Sequence, residues 1–207
     1  VKFPYTVGYG MTECGPAIAF DHWQTFRPTS CGKAVDRMEI RIDSSDPFNQ
    51  VGEILTKGMN VMDGYYNNPE ASNTVLSPDG WLHTGDLGVL DPDGYLYIKG
   101  RSKSLILGPS GQNIYPEEIE DLLNAQPYIA ESLVIEREGK LVALVYPDAE
   151  AMKQNKISCE TLLKIIHETR KQINQQLPAY SQIARIEIHD EEFEKTPKRS
   201  IKRFLYQ

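Results

Sequence analysis

From Asp36 to Gly100 the apolar residues come in short runs, MEIRI at 38–42, VGEIL at 51–55, LGVL at 87–90 and GYLYIKG at 94–100. These runs are rich in β-branched and aromatic side chains, which suit a pleated, half-buried surface, so they predict strands. SPDG at 77–80 and DPDG at 91–94 combine Pro, Asp and Gly in the order tight turns favour. A small antiparallel sheet or partial barrel is expected here, interrupted by one short helix over 69–75 with Pro69 at its first position.

Beyond Gly100 the period changes. Pro116 followed by Glu117 and Glu118 predicts a helix start, because Pro fits the first turn and acids there meet the positive end of the helix dipole. Ile119, Leu122 and Leu123 supply its apolar face and Pro127 stops it. ESLVIE and KLVALVY read as two strands joined by a tight turn at Glu138-Gly139. A second helix over about 158–177 carries Leu162, Ile166, Ile173 and Leu177 on one side, and IARIEIH is a further strand. The fold class is therefore mixed α and β: an antiparallel subdomain followed by a compact α+β domain, the two divided as 1–101 and 102–207.

With 40% hydrophobic and 25% charged residues in 207, the composition is that of a globular protein. No run approaches the roughly 18 uninterrupted apolar residues of a membrane span. A net charge of −7 argues against a general nucleic-acid or anionic-membrane surface. Cys14, Cys31 and Cys159 show no CxxC pairing and no His at metal-ligand spacing, so reduced, buried thiols in a cytoplasmic protein are expected. His22, His83, His167 and His189 are scattered and read as structural or surface residues. The opening VKFPYTVGYG has neither an initiating Met nor a secretion signal and reads as the start of an excised piece.

Three segments could carry chemistry. In Tyr9-Gly10-Met11-Thr12-Glu13 a hydroxyl can donate to a phosphate oxygen and the adjacent carboxylate can hold Mg²⁺, although the same residues could simply decorate a loop. In Trp81-Leu-His-Thr-Gly85-Asp86 one carboxylate can accept both hydroxyls of a ribose, or merely close a hairpin. Gly100 to Glu120 contains Gly108 and Gly111, spaced so that backbone can approach a ligand, but it lacks the Gly-Lys-Ser/Thr ending of a Walker phosphate loop. The last thirteen residues, KTPKRSIKRFLYQ, hold five cations and no acid, either a solvated tail or a cation cluster for a small anion.

Together and in this order, these segments resemble the adenylate-forming superfamily of acyl-CoA synthetases, adenylating domains and luciferases. The resemblance runs from Val7 to about Arg203 and includes GEILTKGMNVMDGYYNNPEAS at 52–72. GPSGQNIYPEEIE and FEKTP…IKRFLY look most like the long-chain fatty acyl-CoA ligase branch. The resemblance implies an enzyme that forms acyl-AMP from a fatty acid and MgATP, then passes the acyl group to coenzyme A. It implies that Tyr9 stacks on adenine beside Gly10, Thr12 contacts the α-phosphate, Glu13 ligates Mg²⁺ and Asp86 holds the ribose. Ile98 would pack near the base and Arg101 would add a cation near ribose and phosphate. Lys103 stands at the hinge on which the family's small C-terminal domain swings, and Gly108 and Gly111 border the coenzyme A path.

One departure stands out. Where relatives carry a near-terminal lysine that reaches the α-phosphate, this sequence has Ser200, so Lys198, Arg199 or Lys202 would have to substitute. The family's phosphate loop and most of its acyl pocket precede the matched region. The resemblance therefore implies a missing N-terminal domain in cis, an isolated chain without ligase activity, and a cytoplasmic full-length protein with peripheral membrane association left open. A ligase for another acid, an adenylating domain serving a carrier protein, and a non-catalytic module that binds nucleotide or a partner remain alternatives.

Overall fold

A computed structural model describes residues 5–197 and 199–207. The chain divides into two compact units, 1–103 and 104–207. In the first, β1 (Gly8–Gly10), β2 (Ala17–Phe20) and β3 (Lys33–Ala34) form one antiparallel sheet. β4 (Met38–Asp43), β5 (Gly52–Gly58), β6 (Leu82–Leu90) and β7 (Leu96–Arg101) form a second, also antiparallel and in chain order. Helix α1 (Pro69–Val75) interrupts it, capped by Asn68, whose side chain accepts the Ala71 N–H. Ile18, Ile42, Ile54, Leu82 and Leu96 are fully or almost fully buried between and beneath these strands.

Segment 81–86 does not close a hairpin, because β6 runs through it. Between the pairs Glu53↔Leu87 and Leu55↔His83 the register slips, so Thr84, Gly85 and Asp86 lie opposite Ile54 alone. That is a bulge, and Gly85, at φ 73°, supplies the left-handed residue it needs.

In the second unit, β8 (Ile106–Leu107) and β9 (Asn113–Ile114) make a small ribbon that the sequence pattern did not predict. Helix α2 (Pro116–Asn124) follows with Pro116 in its first turn. β10 (Ile129–Arg137) and β11 (Lys140–Pro147) pair antiparallel through a two-residue loop. Glu138 and Gly139 both have positive φ, 54° and 73°, as a primed hairpin turn requires. A short helix α3 (Ala149–Gln154), also unpredicted, precedes α4 (Cys159–Gln176), whose cap is Ser158. β12 (Ile183–Ile188) then pairs parallel to β11. The order β10-β11-β12 leaves one face to α2 and α4, where Ile119, Leu123, Val134, Ala143, Val145 and Ile173 are buried together. The tail covers the other face, with Phe193, Ile201 and Tyr206 packed on Leu133, Ile135, Val142 and Leu144. Because both faces are covered, LVI and LVALV are unbroken apolar runs instead of alternating ones.

Seen as a charge run, the tail reads as solvated or ligand-binding; in the structure it packs on the sheet and three of its cations, Lys195, Lys202 and Arg203, meet acids. Lys195 pairs with Glu131 at 2.6 Å and Glu192 at 2.5 Å, and Lys202 with Glu194 at 3.1 Å. Arg203 pairs with Glu120 and donates to the Val134 carbonyl at 3.1 Å, while Glu120 Oε1 accepts the Val134 N–H at 2.6 Å. Burial pushes the Glu120 carboxyl upward, and Arg203 with the Val134 N–H pulls it back. Along β12, Asn174 bonds both the N–H and the carbonyl of Ile183, and Arg170 donates to the Ala184 carbonyl.

The expectation of buried thiols holds for Cys14 alone. Cys31 is half-buried and Cys159, in the first turn of α4, is exposed. Burial pushes the Cys14 thiol up to about 11. Titration of the native chain with a disulfide reagent should therefore modify Cys159 within the mixing time, Cys31 slowly, and Cys14 only on unfolding; early reaction of Cys14 would contradict this packing. Removing one member of the tail's ion pair strands the other. Glu120→Ala should cost about 3–5 kcal/mol in urea denaturation, and Glu120→Leu combined with Arg203→Met should recover part of that loss.

Candidate functional site

The first unit brings two of the sequence-predicted residues, Tyr9 and Arg101, onto the buried carboxylate of a third, Asp86. Asp86, 7% exposed, leaves the β6 bulge with its N–H on the Thr84 hydroxyl at 3.1 Å, and Thr84 donates in turn to the Ile54 carbonyl at 2.7 Å. On the bulge's other side Glu53 accepts the Gly85 N–H through Oε1 at 3.0 Å, and its Oε2 lies 2.8 Å from His83 Nδ1. The backbone that carries Asp86 is thus held from both sides, and His83 has the structural role expected of it.

Tyr9, at the centre of β1, donates its hydroxyl to Asp86 Oδ2 at 2.6 Å. Arg101, at the end of β7 and paired in register with Asp86, sets Nε 2.7 Å from Oδ1. Burial, and then the Asp86 carboxylate, push the Tyr9 phenol well above its usual range, so it stays a protonated donor. The Asp86 side chain is 9% exposed and that of Arg101 is 65% exposed, so the cluster opens outward on its cationic side. Each carboxylate oxygen has one of these donors on it and a second lone pair with which it can accept another. Ile98, on the same strand as Arg101, is 36% exposed.

Gly10 stands where β1 meets Pro16, and a Cβ there would lie 2.0 Å from the Pro16 carbonyl oxygen. No other residue fits, and this close approach lets the chain fold directly into the tight 3-10 turn Thr12–Cys14. Thr12 is exposed on that turn and Cys14 anchors it in the core. Glu13 accepts the Tyr65 hydroxyl on Oε1 at 2.9 Å, and its carbonyl accepts the Met62 N–H at 2.8 Å. Asn60 donates both N–H groups of its amide, to the Cys14 carbonyl at 2.6 Å and the Ala17 carbonyl at 2.8 Å. Glu53, Asn60 and Tyr65 carry no role in the sequence reading. Their only trace there is membership of segment 52–72, with Glu53 also in the strand run VGEIL.

Mg²⁺ takes oxygen ligands, keeps several waters, and needs only one or two carboxylates when phosphates supply the rest. Among the described residues no cluster of three or more His, Cys, Asp or Glu offers a closed cage. One carboxylate beside one hydroxyl, Glu13 beside Thr12, is an all-oxygen donor set that fits a cation shared with a phosphate ligand.

The remaining predicted residues lie at or beyond the unit boundary. Lys103 sits in a 3-10 turn, Ser102–Ser104, as the last residue of the first unit. Gly108 and Gly111 lie in the connection between β8 and β9, where the Gly111 N–H donates to the Gly108 carbonyl at 2.8 Å. Gly111, at φ 81°, has nothing within 4 Å of a built Cβ. Lys198 lies outside the described residues. Lys202 is held by Glu194. Ser200 closes a turn, its carbonyl accepting the Thr196 N–H at 2.8 Å and its N–H donating to Thr196 Oγ1 at 3.3 Å.

Residues 2–66 match the AMP-binding enzyme family and residues 103–206 match the AMP-binding enzyme C-terminal domain. A probable acyl-activating enzyme 4 of Arabidopsis thaliana is 32% identical over 98% of this chain and 39% of its own length. A long-chain-fatty-acid–CoA ligase of Escherichia coli O6:H1 is 40% identical over 60% of this chain and 23% of its own. Among solved structures, the o-succinylbenzoate CoA synthetase of Bacillus subtilis in complex with its acyl-adenylate intermediate is similar at TM-score 0.80 and 30% identity, over 99% of this chain and 41% of that one. The chain thus spans about two fifths or less of the length of these proteins. With half of its residues matched by the C-terminal domain and most of the rest by the enzyme body, this chain belongs to the AMP-binding enzyme family.

Proposed function

We propose that this chain is the C-terminal part of an ATP-dependent acid–CoA ligase. The observation that carries the reading is the buried Asp86 carboxylate, fixed between Tyr9 and Arg101 within the same unit as the Thr12–Glu13 turn. In the reaction a carboxylate oxygen of the acid attacks the α-phosphorus of ATP and the bond to pyrophosphate breaks, leaving acyl-AMP. The sulfur of coenzyme A then attacks the acyl carbon and AMP departs.

Asp86 accepts the two ribose hydroxyls, Arg101 offsets charge near ribose and phosphate, Tyr9 and Ile98 flank the base, and Gly10 lets the backbone pass close. Thr12 donates to the α-phosphate, whose charge rises as the acid attacks, so a fixed donor stabilises the transition state more than the ground state. Glu13 would hold Mg²⁺, which when bound would supply charge neutralisation at the phosphates. Lys103 as hinge, Gly108 and Gly111 on the coenzyme A path, and Lys198 or Lys202 in place of the lysine missing at Ser200 belong to the same reading. So does an N-terminal domain in cis supplying the phosphate loop.

For the acid we propose a long-chain fatty acid, supported by GPSGQNIYPEEIE and FEKTP…IKRFLY. The similarity to a succinylbenzoate synthetase favours an aryl acid as the second reading. No helix among the described residues is long and apolar enough to cross a membrane.

The deciding experiment offers the full-length gene product palmitate, oleate, 4-coumarate and o-succinylbenzoate with MgATP and coenzyme A. AMP release that depends on both palmitate and coenzyme A is the expected result; a preference for the aromatic acids selects the second reading, and nucleotide binding without acid-dependent AMP release under any condition defeats the ligase assignment. In the active enzyme Asp86→Ala should raise the KM for ATP roughly ten- to hundredfold, the scale of losing hydrogen bonds to a charged group. Alanine variants of Lys198, Arg199 and Lys202, assayed for acid-dependent pyrophosphate exchange, should include at least one that is severely slowed; three unchanged rates would remove the substitute-cation assignment.

A further inference from the structure

Four contacts hold the Thr12–Cys14 turn and the start of β2 to the segment that follows β5. Three act on backbone: the two amide hydrogen bonds from Asn60 to the Cys14 and Ala17 carbonyls, and the Met62 N–H on the Glu13 carbonyl. They fix where the turn lies and leave the Glu13 side chain free to rotate. The fourth, from the Tyr65 hydroxyl to Glu13 Oε1 at 2.9 Å, acts on the carboxylate itself.

Tyr65 is well placed for this. Its N–H donates to Ser72 Oγ at 2.8 Å, and that hydroxyl donates to the Asn68 carbonyl at 2.8 Å, tying the tyrosine backbone to the first turn of α1. The phenol reaches Glu13 through a rigid ring with two rotatable bonds, so one carboxylate oxygen is held at little entropic cost. Among the described residues no hydrogen bond or ion pair engages Glu13 Oε2. Tyr65 is 38% exposed, and removing its hydroxyl disturbs no core.

We propose that Tyr65 is a positioning residue that holds one oxygen of Glu13 and thereby aims the other at a divalent cation bound together with a nucleotide. This inference rests on the reading of Glu13 as a metal ligand. It assigns Tyr65 no contact with substrate.

The test uses the full-length gene product and Mn²⁺ as a spectroscopic probe, its binding in the presence of ATP followed by electron paramagnetic resonance. Tyr65→Phe should weaken Mn²⁺ binding about tenfold, the scale of one hydrogen bond to a charged group, with metal-free ATP binding and the melting temperature unchanged. Glu13→Gln, measured alongside, should weaken it further. If Glu13→Gln loses the metal while Tyr65→Phe binds it as well as or better than the parent, the positioning role is overturned and the reading of Glu13 stands. If Glu13→Gln also binds like the parent, Glu13 is not the ligand and both fall.

Discussion

A carboxylate taken out of water must be answered by donors, and each unit of this protein is organised around one such group. An unpaired charge in that position would cost several kcal/mol, more than most single contacts return. In the first unit the group is Asp86, met by Tyr9 from β1 and Arg101 from β7, which ties together two sheets. In the second it is Glu120 on α2, met by Arg203 from the tail and by the Val134 N–H from β10. Glu120 meets a guanidinium that is only 18% exposed, whereas Asp86 meets one that is 65% exposed. Burial of a carboxylate is therefore not by itself a sign of function; what separates the two is how open the partner guanidinium is to solvent.

The elements most legible in the sequence were those with local causes. Pro69 and Pro116 fix helix starts, Glu138-Gly139 permits the positive φ values of a two-residue hairpin, and Leu162, Ile166 and Ile173 repeat at helical spacing. What escaped depends on distant partners. The β6 bulge exists because Glu53 and Ile54, thirty residues away, take the hydrogen bonds of Gly85 and Thr84. The ribbon of β8 and β9 is two residues per strand, too short for any period to show. Lys195, Lys202 and Arg203 look unpaired in sequence because their acids lie on α2 and β10 as well as within the tail.

The candidate site divides along the same line. Tyr9, Thr12, Glu13 and Asp86 were visible because an aromatic, a hydroxyl and two carboxylates flank glycines at spacings that ordinary loops seldom assemble together. The residues that hold them in place, Glu53, Asn60 and Tyr65, act through hydrogen bonds to backbone or to another side chain's far oxygen. Such support is a matter of approach in space, and a residue's type and neighbours in sequence leave little trace of it.

The sheet of the second unit has two outer strands, and the contacts at Val134 on one and at Ile183 and Ala184 on the other have a consequence for the chain in a crowded solution. Each outer strand offers backbone groups on which another molecule's strand could zip. Here, side chains from Glu120, Arg203, Asn174 and Arg170 already occupy such positions. The same ionic and amide groups that fasten tail and helix to the sheet thus guard its margins against edge-to-edge aggregation, and a variant that frees them would be expected to self-associate before it unfolds.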